Sequence, residues 1–222
     1  SRSETTQGLL FGFLAYGMWG VFPLFFHQLR FIPSTEVLMH RIIWSFVFVL
    51  SIVLIIGSSK RLLPAMNTPR LRRGLAFSSL LVSFNWLVYI WAVSHGRVLE
   101  SSLGYFLTPL VSVFLAHVFL KEAINASQLS AVLLAACGVL WLLLRLGYLP
   151  WVSLALAISF GLYGLLRKQL SVDSLTGLTV ETALLLPLAL LFWAYLLAQG
   201  QSHFYFNGWQ DSLLLMASGM VT

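Results

Sequence analysis

The sequence predicts an all-α, polytopic membrane helix bundle, and three observations predict it. Of its 222 residues 59% are hydrophobic and 9% are charged, with a mean hydropathy of +0.89; a soluble domain carries about a quarter charged residues. The apolar residues fall into runs of about 20, the length at which a helix crosses hydrocarbon with every backbone amide satisfied inside the segment. The charges sit mostly between those runs. Thirteen Lys+Arg and seven Asp+Glu cannot coat a globule of this size, which excludes a soluble enzyme and a nucleic-acid-binding domain despite the net charge of +6. The partners this implies are the lipid bilayer and a small-molecule substrate, with no nucleic acid; a homodimer is left open.

Taken in order, the full spans are residues 8–27, 36–56, 74–93, 102–120, 127–144, 150–166 and 175–198. An eighth run begins near Asp211 and reaches Thr222, about half the length needed, so a second copy of the repeat described below is expected to continue past Thr222 in a longer chain. The first span is not a signal peptide: no A-x-A-like site follows it, and AYGMWG is unlike an h-region. With the N-terminus inside, the inner segments hold nine cations: Arg2, the Lys60, Arg61, Arg70, Arg72 and Arg73 group, Lys121, and Arg167 with Lys168. The outer segments hold three, Arg30, Arg97 and Arg145. Nine against three places the N-terminus in the cytoplasm.

Residues 15–20, AYGMWG, recur as SFGLYG at 159–164, and Gln28-Leu29 echoes Gln169-Leu170. An odd number of spans separates the copies, so the second half is expected to be inverted in the membrane, as in many secondary transporters. This divides the chain into a first repeat of five helices, 1–146, and an incomplete second one, 147–222.

Ionisable residues inside spans are costly and point to function. Arg41 lies in the second span and Glu181 in the seventh, counterparts in the repeat if a short gap is allowed. Either they line a polar cavity, with Arg41 attracting an anionic group and Glu181 taking up a proton, or they snorkel or pair with each other to hold the bundle. Glu36, four residues before His40, is the local partner expected for that histidine. Ser78, Asn85 and Tyr89 share one helical face, as do Tyr105, Thr108, Ser112 and Ala116; such stripes suit a cavity wall or tight helix packing. Pro109 either bends or breaks the fourth span beside the stripe or is one of the prolines common in membrane helices for no ligand-related reason. Tyr16 and Trp19, three apart, either stack on a flat substrate or belong to packing and the interfacial belt.

Enzyme signals are missing. There is no Walker loop and no H-E-x-x-H motif, the five histidines are dispersed, and no nucleophile–base pair occurs at helical spacing. The single Cys137 excludes a disulfide framework and a cysteine metal site, and its apolar run suggests a lipid- or helix-facing thiol. Asn125-Ala126-Ser127 fits the glycosylation pattern but falls on the inner side. No cofactor and no metal are expected.

Residues 85–111 (NWLVYIWAVSHGRVLESSLGYFLTPLV), with 15–26 (AYGMWGVFPLFF) and 159–170 (SFGLYGLLRKQL), resemble the RarD family, EamA-type permeases of the drug/metabolite transporter superfamily. The resemblance spans essentially the whole chain, with Arg97 and Thr108 standing where His and Asn are expected. It implies ten helices in two inverted five-helix halves with cytoplasmic termini, of which this chain carries about seven and a half. It also implies a bacterial inner-membrane exporter or permease, from a family named for an association with chloramphenicol sensitivity. The expected function is a secondary transporter of a small organic solute, metabolite or drug, working by alternating access. The rival is an intramembrane assembly or regulatory protein that moves nothing. The residues expected to bind substrate are Arg41, Glu181, Tyr16, Trp19, Asn85, Tyr89, Tyr105 and Thr108.

Overall fold

The computed structural model describes residues 2–204 and 208–221, with every side chain among them except those of 2–5, 7, 8, 15, 16 and 146. The helices are α1 (Arg2–Gln28), α2 (Ser34–Ile56), α3 (Leu62–Asn67), α4 (Pro69–Ser94), α5 (Val98–Leu120), α6 (Ala126–Leu146), α7 (Trp151–Leu170), α8 (Ser174–Ala198) and α9 (Trp209–Met220), with a short 3-10 turn before α3. All seven expected full spans and the half-span are helical, and α3 is an addition within the basic loop. Among the described residues six helices are long and apolar enough to cross a membrane. The exception is α7, whose last turn carries Arg167 and Lys168. It lies between α4 and α5, with Val152, Leu156, Ala157 and Gly161 buried. A helix enclosed by other helices does not need a lipid-compatible surface all round.

Local chemistry sets the breaks. Gly57 takes the left-handed conformation that ends α2, φ 73°, and its N–H bonds the Leu54 carbonyl. Pro69 occupies the first turn of α4, where a missing N–H costs nothing. Asn125 and Gln128 form a reciprocal capping box at the start of α6, so the asparagine of the glycosylation-like triplet has a structural task. Asp173 accepts the Thr176 N–H and caps α8. α5 runs through Pro109 without a break. Thr108 Oγ1 bonds the Gly104 carbonyl across that turn, at 2.9 Å.

Small residues bring the helices together, as they must where lipid supplies no hydrophobic force between them. A methyl on Gly104 would lie 3.0 Å from Leu156 Cβ, and one on Gly161 would lie 2.7 Å from Val111 Cγ1, so α5 and α7 meet nearly backbone to backbone. Ser45 of α2 donates to the Gly219 carbonyl of α9 at 2.9 Å. The main core joins α1, α2, α4, α7, α8 and α9 around Phe26, Val37, Ile90, Val152, Ala189 and Leu215. None of the α6 span is buried and little of α1 is; Cys137 is exposed on α6, in line with a lipid-facing thiol.

Two ends of the bundle are defined by contacts. At one, Arg61 meets Asp173 at 3.8 Å and Lys168 meets Glu122 at 2.5 Å. At the other, Ser202 and His203 reach Glu36, and Ser153 donates to the Glu100 carbonyl.

Candidate functional site

On α2, Val37, Arg41, Ser45, Val49 and Val53 recur every four residues and are all buried, so they form the face turned to the other helices. Arg41 is therefore inside, 4% exposed, despite its charge. Its guanidinium carbon lies 4.5 Å from the Trp86 ring centroid and 5.2 Å from that of Phe26. Among the described residues no carboxylate comes within ion-pair distance of it, and its Nε is buried without a hydrogen-bond partner. Trp86, half-buried on α4 one residue after Asn85, meets Arg41 across the α2–α4 contact.

Arg41 borders a cavity of about 190 Å³, whose wall is largely aromatic: Phe22, Trp86, Tyr89, Tyr105, Phe160 and Tyr163 contribute, and Trp19 joins them from α1. A recess of about 320 Å³ adjoins it, sharing Trp19, Tyr89, Tyr105 and Phe160. The Tyr89 ring stands edge-on to Phe26 and Tyr105, at centroid distances of 5.8 and 6.1 Å, a geometry that interlocks the wall. Asn85 also borders the cavity; its Nδ2 donates to the Leu156 carbonyl at 3.0 Å and to Ser159 Oγ at 2.9 Å. Both bonds reach α7, so the amide ties the middle of α4 to the second copy of the repeat motif.

The residues expected from the sequence divide accordingly. Arg41, Trp19, Asn85, Tyr89 and Tyr105 come together around the cavity. Thr108 lies only on the adjoining recess, with its hydroxyl turned back on its own helix. The side chain of Tyr16 lies outside the described ones. Glu181 is almost fully buried at 1% exposure, but it is not on the cavity wall and does not pair with Arg41. Its carboxylate accepts Ser78 Oγ–H at 2.5 Å and the Tyr163 hydroxyl at 3.2 Å, and Arg167 Nε lies 3.8 Å away. Ser78, Tyr163 and Arg167 all converge on it because α4 packs against both α7 and α8, and the short turn after α7 holds Arg167 beside α8.

One sequence expectation is corrected here. Glu36 does not partner His40: it accepts His203 N–H and Nδ1, each at 2.7 Å, and Ser202 Oγ. The His40 ring instead stacks on Phe204 at 4.9 Å, with both nitrogens buried and unpartnered. Arg167, in sequence one of the inner-segment cations, stands beside Glu181. Phe160 and Tyr163 were visible as the aromatic positions of the recurring SFGLYG, but not as wall residues; Tyr163 is the repeat counterpart of Trp19, and that register was the available signal.

Comparison with known proteins agrees with this architecture. Residues 6–144 match the EamA-like transporter family. The chain is 42% identical over 219 residues to Protein RarD of Escherichia coli, covering 99% of this chain and 74% of the relative. It is 45% identical over 202 residues to the uncharacterized transporter YojE of Bacillus subtilis, covering 90% of this chain and 67% of that one. A third relative, the chloramphenicol-sensitive protein RarD of Pseudomonas aeruginosa, is 34% identical over 193 residues, 84% of this chain and 64% of the relative. No solved structure matches. These relatives carry transporter or RarD names rather than enzyme names. A multi-pass helical bundle, a family match over more than half its length and relatives of this identity together place the chain in the EamA-like transporter family, among the RarD-like permeases.

Proposed function

We propose that the protein is a secondary transporter of a small organic solute carrying an anionic group, and that the solute binds in the Arg41 cavity. One observation carries this reading: a buried arginine, held between two aromatic faces, borders a cavity with no acid among its described residues to neutralise it. Such a cation at membrane depth needs an anion, water or a dense set of acceptors. The carboxylate, phosphate or phenolate of a solute fits Arg41, and a planar organic body fits the walls of Trp19, Trp86, Tyr89 and Tyr105.

Alternating access between two inverted halves, 1–146 and 147–222, is the mechanism. Its support is the AYGMWG/SFGLYG repeat, the joint presence of Trp19 and Tyr163 on one cavity, and the equal placement of Arg41 and Glu181 counted from the starts of α2 and α8. The charge distribution supports a bacterial inner-membrane location with the N-terminus cytoplasmic, and the names of the relatives support transport. One of them carries chloramphenicol in its name, which makes that nitroaromatic a reasonable member of the solute panel.

The test is uptake of a panel of radiolabelled small organic anions, plus chloramphenicol, into proteoliposomes, with thermal stabilisation of the purified protein as an independent binding readout. Solute-dependent flux above protein-free liposomes is expected. A protein with a purely structural role in the membrane shows neither flux nor stabilisation, and that result would sink the reading.

A further inference from the structure

We propose that Glu181 is a reversible proton-binding site that communicates with the Arg41 cavity through Tyr163, and that it is the coupling site of the transporter; the coupling part rests on the transport reading above.

The geometry satisfies the carboxyl in both of its protonation states. The Ser78 hydroxyl has one proton and two acceptors in reach, Glu181 Oε1 at 2.5 Å and the Leu75 carbonyl at 3.0 Å. When Glu181 is ionised, Ser78 donates to it. When a hydronium delivers a proton to Oε1 and leaves as water, the new O–H donates to Ser78 Oγ, and the Ser78 hydrogen turns to the Leu75 carbonyl. The carboxyl and the Ser78 hydroxyl keep a hydrogen-bond partner in both states. A helical serine has a carbonyl of the preceding turn in reach, so Ser78 can give up the carboxylate without leaving its own hydrogen unpaired.

Arg167 completes the arrangement. Its Nη2 donates to the Val172 and Asp173 carbonyls at 3.4 and 3.2 Å, so the turn between α7 and α8 anchors it. Its Nε approaches Glu181 at 3.8 Å, outside hydrogen-bond range. Arg167 thus compensates the ionised carboxylate without claiming its lone pairs, and it keeps its carbonyl bonds when the carboxyl is neutral. The groups facing Glu181 are Ser78 from α4 and Tyr163 and Arg167 from α7; α2 and α3, which also pack on α8, place no hydrogen-bonding or ion-pair partner on it among the described residues.

The link to the cavity is a single side chain. Tyr163 donates to Glu181 Oε2 at 3.2 Å and is itself part of the cavity wall. An ionised Glu181 holds the phenol hydrogen strongly, and a neutral one accepts it more weakly. Protonation therefore changes how firmly one wall residue is held in the space where the solute would sit.

The experiment is infrared difference spectroscopy of the reconstituted protein across a pH titration. A carboxylic-acid carbonyl band is expected in the wild type on acidification, missing from Glu181→Gln, and moved in frequency by Ser78→Ala and by Tyr163→Phe. A spectrum identical in wild type and Glu181→Gln overturns the proposal. If Glu181→Gln fails to fold by circular dichroism, the other two variants decide: a band that neither of them moves overturns it equally. Arg41→Ala is expected to lose solute flux and keep the band, so normal flux in this variant with an intact band condemns the Arg41 reading alone. Where flux is measured, a pH gradient is expected to drive it in wild type and not in Glu181→Gln; an equal response in both removes the coupling role.

Discussion

The guanidinium of Arg41 rests on the face of Trp86, 4.5 Å from the ring centroid, inside the membrane-spanning part of the molecule. An aromatic face attracts a cation, by about 2 kcal/mol when both are desolvated, but it does not cancel the charge. The pair thus stabilises a buried arginine while leaving its outward donors to an incoming anion. A carboxylate in the place of Trp86 would have held the arginine better and closed the site.

Arg41→Ala is expected to abolish solute-dependent flux with expression and helical content near wild type. One hydrogen bond to a charged group is worth about 1.5–3 kcal/mol, so affinity falls about ten- to hundredfold at the least. Arg41→Lys rescues only part of it, because the planar fork is lost. Normal transport by the alanine variant would remove Arg41 from the site.

Gly161→Ala and Gly164→Ala, three residues apart on α7, are expected to differ in sign. The first places a methyl 2.7 Å from Val111 Cγ1, and a valine in a helix has essentially one χ1 well into which to retreat. The cost is about 1–3 kcal/mol. The second meets nothing within 4 Å, and the helix gains up to about 1 kcal/mol from losing glycine. Thermal unfolding in detergent measures both; equal melting temperatures would mean that α5 and α7 do not approach as described.

Asp173 gives the pH dependence. Its carboxyl is held below the ordinary 3.8, chiefly by the backbone N–H of Thr176, with Arg61 contributing. A carboxyl depressed in the folded state stabilises the fold above its unfolded value and loses that contribution as pH falls through its folded value. Asp173→Ala is therefore expected to cost about 1 kcal/mol at neutral pH, with the difference from wild type closing in strong acid. Asp173→Asn keeps the cap and loses the pH dependence. A pH-independent gap for the alanine variant would contradict the assignment.

Orientation is testable with a membrane-impermeant maleimide in a Cys137→Ser background, needed because Cys137 is exposed. Gln201→Cys is expected to react from outside the cell and Arg70→Cys only after the membrane is opened. The reverse pattern would invert the assignment made from the basic residues.

Much of the fold was legible in the sequence. The helix segments followed from the runs of apolar residues; the stops and caps at Gly57, Pro69, Asn125 and Asp173 emerged with the structure, although each acts within a few residues of itself. The cavity was legible in part. The face through Asn85 and Tyr89 and the aromatic at Trp19 could be read from helical spacing, whereas Trp86 is one residue off that face, and nothing in the sequence of α4 marks which side meets α2.

Glu181 shows where reading along the chain ends. Arg41 and Glu181 were the two conspicuous in-span charges of opposite sign, so pairing them was natural. Arg167 looked like one more cation at the end of a span. In the folded chain Arg167 is the neighbour of Glu181, because α7 and α8 are joined by a short turn whose carbonyls hold the guanidinium. Arg41 is left to the aromatic cavity.

What the sequence determined by itself was therefore the set of elements: hydrocarbon demands about 20 apolar residues with internally satisfied backbone, a condition written along one dimension. What the tertiary structure alone decided was which helices touch and on which faces. Between helices in lipid there is no hydrophobic force to encode in a pattern, and partners are chosen by close packing at places such as Gly161 against Val111 and Gly219 against Ser45, where the fit involves two surfaces at once.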